Sequence, residues 1–142
     1  MFTSINVLGG PLLPCSHKPK TGWYRDGCCN TNEQDYGSHT VCVSLTTELL
    51  EFLKEKGNDL ITPHPEHGFP GLKEGDSWCV CALSWRDAYR AGLSAPVKLE
   101  STHRAALNIG KTLYYSNSEE CVNRIEILIK KYNVNLILPI DW

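Results

Sequence analysis

The sequence predicts a single α+β domain, a two-layer sandwich in which a small mixed or antiparallel sheet carries helices packed on one face. Three observations carry this expectation. Thr40 to Leu45 alternates apolar and polar residues with a period of two. Trp78 to Leu83 is an apolar, aromatic-rich run entered through the turn signal Gly75-Asp76. Thr47 to Lys56 has the apolar spacing and flanking residues of a capped helix. Strands and long helices do not alternate regularly, which disfavours a doubly wound sheet. A chain of 142 residues fits one such domain, which buries about two-thirds of the surface of its unfolded chain.

In chain order, Asn6-Val7-Leu8 reads as a short strand, ended by Gly9-Gly10-Pro11 and Pro14, so that Cys15 falls on a loop. Arg25-Asp26-Gly27 is a turn leading into the adjacent pair Cys28 and Cys29. In the strand Thr40 to Leu45, Val41, Val43 and Leu45 face the core, while Thr40, Cys42 and Ser44 take the more polar face. The helix Thr47 to Lys56 starts at Thr46 as N-cap, with Glu48 in the positive first turn and Leu45 and Leu50 spaced for a hydrophobic staple. Gly57 ends it, and Leu49, Phe52 and Leu53 form its buried stripe.

Gly57 to Ser77 is a long connection broken by Pro63, Pro65 and Pro70, and a loop of that length in a compact domain is more often functional than idle. In the strand that follows, Cys79, Cys81 and Leu83 share one face, with the two thiols on Cα atoms roughly 6.6 Å apart. Ser84 then caps a short helix, Asp87 stands at its third position and Gly92 supplies the left-handed residue that stops it. Val97 to Leu99 is a short strand, and Thr102 to Ile109 a second short helix stopped by Gly110.

Ser118 caps an amphipathic helix whose apolar positions are Cys121, Ile125, Leu128 and Tyr132, and Val134 to Leu138 is a closing strand. The chain therefore divides into a cysteine-rich core, residues 1–112, and a helix-strand extension, residues 113–142. The extension carries enough apolar surface to pack on the core or on a second copy, giving a homo-oligomer.

Composition narrows the function. The net charge is -2 and the only doubly basic pair is Lys130-Lys131, which speaks against a nucleic-acid partner. No apolar run is long enough to span a membrane and no secretory leader is evident, so a cytoplasmic protein without a membrane partner is expected. Seven cysteines are then unusual, because a reducing compartment disfavours structural disulfides. They point to metal, to thiol chemistry or to plain burial as small apolar residues.

The metal reading draws its ligands from Cys28, Cys29, Cys42, Cys79, Cys81 and His39, with His103 a further candidate. Zinc is the cofactor that thiolates with imidazole would take, although one cysteine pair is adjacent and the other split by a single residue, not by two. The thiol reading centres on Cys28 and Cys29, since a bond between adjacent cysteines is strained and easily reduced. His103 is then the candidate base: at the first turn of its helix the dipole favours the neutral ring. Arg25 stands three residues before Cys28, and Glu66 beside His67 offers acid–base groups on the long loop. Against these stands a non-catalytic binding module whose cysteines are structural. No residue pattern names a substrate.

Several ordered motifs give the chain a family resemblance. These are Asn6-Val7-Leu8-Gly9-Gly10-Pro11-Leu12, Tyr24-Arg25-Asp26-Gly27-Cys28-Cys29, Gly37-Ser38-His39-Thr40-Val41-Cys42, Gly57-Asn58-Asp59-Leu60, Gly68-Phe69-Pro70-Gly71-Leu72, Gly75-Asp76, Trp78-Cys79 with Cys81, and Thr102-His103. Over roughly residues 5 to 110 the chain resembles the bacterial family catalogued as domain of unknown function 2237. The resemblance implies a two-layer α+β domain and carries no reaction, substrate or cofactor. Residues from Lys111 onward lie beyond it.

Overall fold

The computed structural model describes residues 4–93, 95–108, 112–114 and 135–137. Its elements are β1 (Val41–Ser44), α1 (Thr47–Glu55), β2 (Ser77–Val80), α2 (Ala82–Arg90), β3 (Thr112–Tyr114) and β4 (Asn135–Ile137), with 3₁₀ turns at Pro65–His67, Leu99–Ser101 and Arg104–Asn108. The fold is α+β. β1 and β2 pair antiparallel, with Val41 opposite Val80, Cys42 opposite Cys79 and Val43 opposite Trp78. β3 and β4 form a separate parallel pair.

Side chains alternate across a strand, so this register gives the β1–β2 ribbon two unlike faces. Val41, Val43, Trp78 and Val80 join Leu49, Leu53, Trp85 and Ala88 of the two helices in one buried core. Cys42 and Cys79 lie on the opposite face, against Cys15 and Cys29 of the N-terminal segment. Cys42 is therefore fully buried and not on the polar face the alternation predicts, because a loop distant in sequence covers it.

α1 follows its local signals. The Thr46 side chain accepts from the Leu49 amide at 3.1 Å, and Leu45 and Leu50 are both buried. Its buried stripe is Leu49, Leu50 and Leu53, with Phe52 only partly covered. α2 departs from the expectation. It begins at Ala82 with Cys81 as N-cap, placing the predicted cap Ser84 inside the helix and leaving Leu83 exposed. The cause is a remote acceptor: the Ala82 amide donates to the Ser38 carbonyl at 3.0 Å, which starts the helix two residues after the strand ends. Gly92, at φ +76°, does terminate it.

The strand expected at Asn6 is reduced to isolated bridges, Ile5 with Pro11 and Asn6 with His103. The buried Asn6 side chain ties the segment instead, donating to the Pro11 and Glu100 carbonyls and accepting from the Leu8 and Gly10 amides. Among the described residues Val97 makes one bridge, to Val43, and the helix expected from Thr102 is the 3₁₀ turn Arg104–Asn108. The amphipathic helix expected from Ser118 lies outside the described residues, while the closing strand coincides with β4. Among the described residues no helix is long and apolar enough to cross a membrane.

Candidate thiol site

The cysteines fall into two groups. Cys15 is bonded to Cys42 and Cys29 to Cys79, and all four are buried together behind the ribbon. Cys28 and Cys81 are free and half-buried; Cys121 lies outside the described residues. Cys29 is thus joined to a strand residue and not to its neighbour Cys28. Burial, reinforced by the nearby Asp26 carboxylate, pushes the Cys28 thiol up, a poor setting for a nucleophile.

Cys81 has the richer surroundings. Its position at the N-cap of α2, where the chain turns from strand to helix, brings its Sγ to 3.2 Å from Nε2 of His39. The other ring nitrogen, Nδ1, stands 2.6 Å from Oδ1 of Asp35. Asp35 Oδ2 accepts from the His39 amide at 2.9 Å and from the Thr31 hydroxyl at 2.8 Å, so the carboxylate is the centre around which the Thr31–His39 loop folds. The Asp35 side chain is fully buried, whereas that of His39 is 36% exposed. Ser38, at φ +51°, turns its carbonyl toward both the Thr40 and the Ala82 amides, and so fixes the histidine loop to the start of α2.

The electrostatics follow from these contacts. The hydrogen bond with Cys81 pushes His39 up to about 9, helped by Asp35 and opposed by burial. His39 is therefore a cation at neutral pH, with one N–H toward sulfur and the other toward carboxylate. Burial raises the Asp35 carboxyl, but its hydrogen bonds from His39 and Thr31 outweigh that and leave it below the ordinary carboxylate range.

Cys81 and His39 open on a cleft of about 290 Å³ that also meets Trp23, Arg25, Trp78 and Cys79. Trp23 stacks on the His39 ring with centroids 5.8 Å apart. Arg25, a non-glycine residue at φ +56°, donates to the Gly22 carbonyl at 2.6 Å and lies 5.2 Å from the Trp78 ring centroid. A larger groove of about 680 Å³ runs past Leu13, Cys15 and Lys98, away from the Cys81–His39 pair.

His39 and Cys81 are thus brought together, while Cys29, Cys42 and Cys79 are held in disulfides and Cys28 stands apart from both groups. The His103 ring instead accepts from the Ala105 amide at 2.9 Å, and burial lowers its basicity. On the long loop, His64 pairs with Glu66 at 3.0 Å and both are exposed. Cys15 and Asp35 were not among the residues the sequence singles out. The signal for Asp35 is its place four residues before His39, with Gly37 between.

The model of a protein family described as an uncharacterized protein conserved in bacteria (DUF2237) matches residues 5–115, five residues further than the motifs alone suggest. No curated protein matches the chain.

Proposed function

The chain belongs to this uncharacterized bacterial family, and from that premise we propose a thiol-dependent catalyst in which Cys81 is the nucleophile, His39 its proton partner and Asp35 the residue that holds His39. One observation carries the reading: the Cys81 sulfur 3.2 Å from an imidazole whose far nitrogen is 2.6 Å from a buried carboxylate. A nucleophile, a base and an orienting group in that order are what covalent catalysis requires. His39 Nε2 stands where it can pass a proton to a departing sulfur.

The reaction class is thiol–disulfide exchange with a small disulfide of a size to enter the cleft. The Cys81 thiolate attacks one substrate sulfur, forming a mixed disulfide and breaking the substrate's S–S bond. The departing thiolate takes the proton from His39 Nε2 and leaves as a thiol. A small-molecule thiol then gives its proton back to His39 Nε2 and attacks the mixed disulfide, releasing a second disulfide product and restoring the Cys81 thiolate. Trp23 and Trp78 supply apolar walls to the cleft and Arg25 a cation for an acidic substituent.

The cytoplasm is the proposed compartment, where dithiol reductants set the state of the two buried disulfides. The second reading, a non-catalytic binding module, is favoured by the same buried disulfides, which staple the N-terminal segment to the ribbon. Alkylation by iodoacetamide at pH 6 separates the two. We expect Cys81 to react on the order of tenfold faster than Cys28 or a model thiol, and His39→Gln to remove the advantage. A Cys81 rate equal to that of a model thiol in both proteins would leave the binding module standing.

A further inference from the structure

We infer that Cys15, Cys29, Cys42 and Cys79, when reduced, form a tetrathiolate site for one zinc-class divalent ion, so that the space behind the ribbon holds either two disulfides or one metal ion. This site adjoins the cleft of the Cys81–His39 pair at Cys79 but takes no ligand from that pair.

The placement comes first. The register of β1 and β2 sets Cys42 and Cys79 directly opposite each other on one face, and the N-terminal segment lays Cys15 and Cys29 over them. The sulfurs of Cys15, Cys29 and Cys79 all lie within 4.8 Å of one another, and the fourth, that of Cys42, is bonded to one of these three. A tetrahedral zinc with bonds of about 2.3 Å needs its sulfurs about 3.8 Å apart. Opening each disulfide lets the bonded pairs separate to that spacing, and rotation about Cα–Cβ then has to swing the Cys42 sulfur, the one outside the 4.8 Å cluster, toward those of Cys29 and Cys79.

The surroundings also fit a structural metal. All four residues are buried and come from four separate points of the chain, so a metal would tie loop to ribbon as the disulfides do. The backbones of the two strand cysteines are held independently of the sulfurs. The Cys79 amide donates to the Thr21 hydroxyl at 2.9 Å and the Cys42 amide to the Thr102 hydroxyl at 3.2 Å. Fixed backbones around a closed set of four ligands characterise a structural site more than a catalytic one, which keeps a position open.

The exchange balances. Two equivalents of a dithiol deliver four electrons and four protons to the two disulfides, yielding four protein thiols and two cyclic disulfides. Zinc then binds the four sulfurs and displaces four protons. In the reverse direction, two equivalents of a small-molecule disulfide accept four electrons from the thiolates and four protons from water, the two protein disulfides reform, and the metal leaves.

The test uses the full chain reduced with a phosphine under anaerobic conditions and titrated with cobalt(II), followed by zinc. We expect one cobalt per chain, with the intense visible bands and sulfur-to-metal charge transfer of four thiolates, lost on adding one equivalent of zinc or a disulfide oxidant. The Cys28→Ser/Cys81→Ser double variant should keep this spectrum and Cys79→Ser should lose it. Circular dichroism read alongside covers the case in which the reduced chain unfolds, since refolding driven by cobalt supports the site. The inference is overturned if the reduced chain, folded or not, binds no cobalt, or if the bound cobalt spectrum requires Cys81 or a nitrogen ligand.

Discussion

A β-carbon placed on Gly37 would lie 2.8 Å from the Cys81 sulfur and 3.2 Å from Cε1 of His39. Gly37 is not in the left-handed region, so glycine is needed there for space and not for backbone freedom. The residue between Asp35 and His39 thus lets the sulfur reach the imidazole. Gly37→Ala should push Cys81 and His39 apart, costing about 1–3 kcal/mol of stability. Alkylation of Cys81 should slow several-fold, and mass-spectrometric peptide mapping over a time course reads the rate. An unchanged rate would show that the contact is not what activates the thiol.

Stability should fall on the alkaline side because of His39. Its folded-state value, about 9, lies above the value of about 6.5 expected for an unfolded chain. The contribution of the cation is therefore complete below about 6.5 and is lost as pH rises toward about 9. Asp35 acts at the other end: its depressed carboxyl contributes above the unfolded value of about 3.9, and the contribution disappears as pH falls through the folded value. Urea midpoints measured from pH 3 to pH 10 should give a plateau near neutrality, and His39→Gln should flatten the alkaline limb.

Asp35→Ala should cost more than most single changes, about 2–4 kcal/mol, because it strips partners from the Thr31 hydroxyl, the His39 amide and the His39 ring together. Asp35→Asn keeps the shape and an acceptor and should cost less. In both variants Cys81 alkylation should lose its advantage at pH 6, which separates positioning of His39 from mere loop stability.

The two crosslinks should differ in worth. Cys29–Cys79 spans 50 residues of sequence and Cys15–Cys42 spans 27, so on loop-closure grounds the first should stabilise more, both falling at about 2–5 kcal/mol. Denaturant curves of Cys29→Ser and Cys15→Ser, run oxidised and metal-free, compare them.

β3 and β4 pair in parallel, with Thr112 opposite Asn135 and Tyr114 opposite Ile137. Ending the chain at residue 111 removes both strands and should lower the melting temperature or change the oligomeric state if the extension packs on the core or on a second copy. Scanning calorimetry and light scattering test it, and no change in either would show the extension to be independent.

What the sequence reveals of this protein divides by range. Thr46 and the leucines of α1 act within a few residues of one another, and the helix lies where their spacing puts it. Alternation locates β1 but not the burial of its second face, since nothing near Cys42 announces that Cys15 and Cys29 cover it. Ser84 is a better local cap than Cys81, yet the Ser38 carbonyl decides where α2 begins. The same long-range contact sets Cys81 beside His39. Both residues are visible in the sequence as chemistry-bearing types, but their pairing depends on a loop closed around Asp35.

A ribbon of two strands is all edge, and open edges invite strands from other molecules. Here each edge is engaged at named points by other parts of the chain. The Thr21 hydroxyl takes the outward amide of Cys79, and on the far side Ser44 and Lys98 exchange backbone bonds with Pro96 and Cys42. The threonine that steadies a cysteine thus also guards against edge-to-edge aggregation, so Thr21→Val should first become visible as a loss of solubility on storage and only secondarily as altered thiol behaviour.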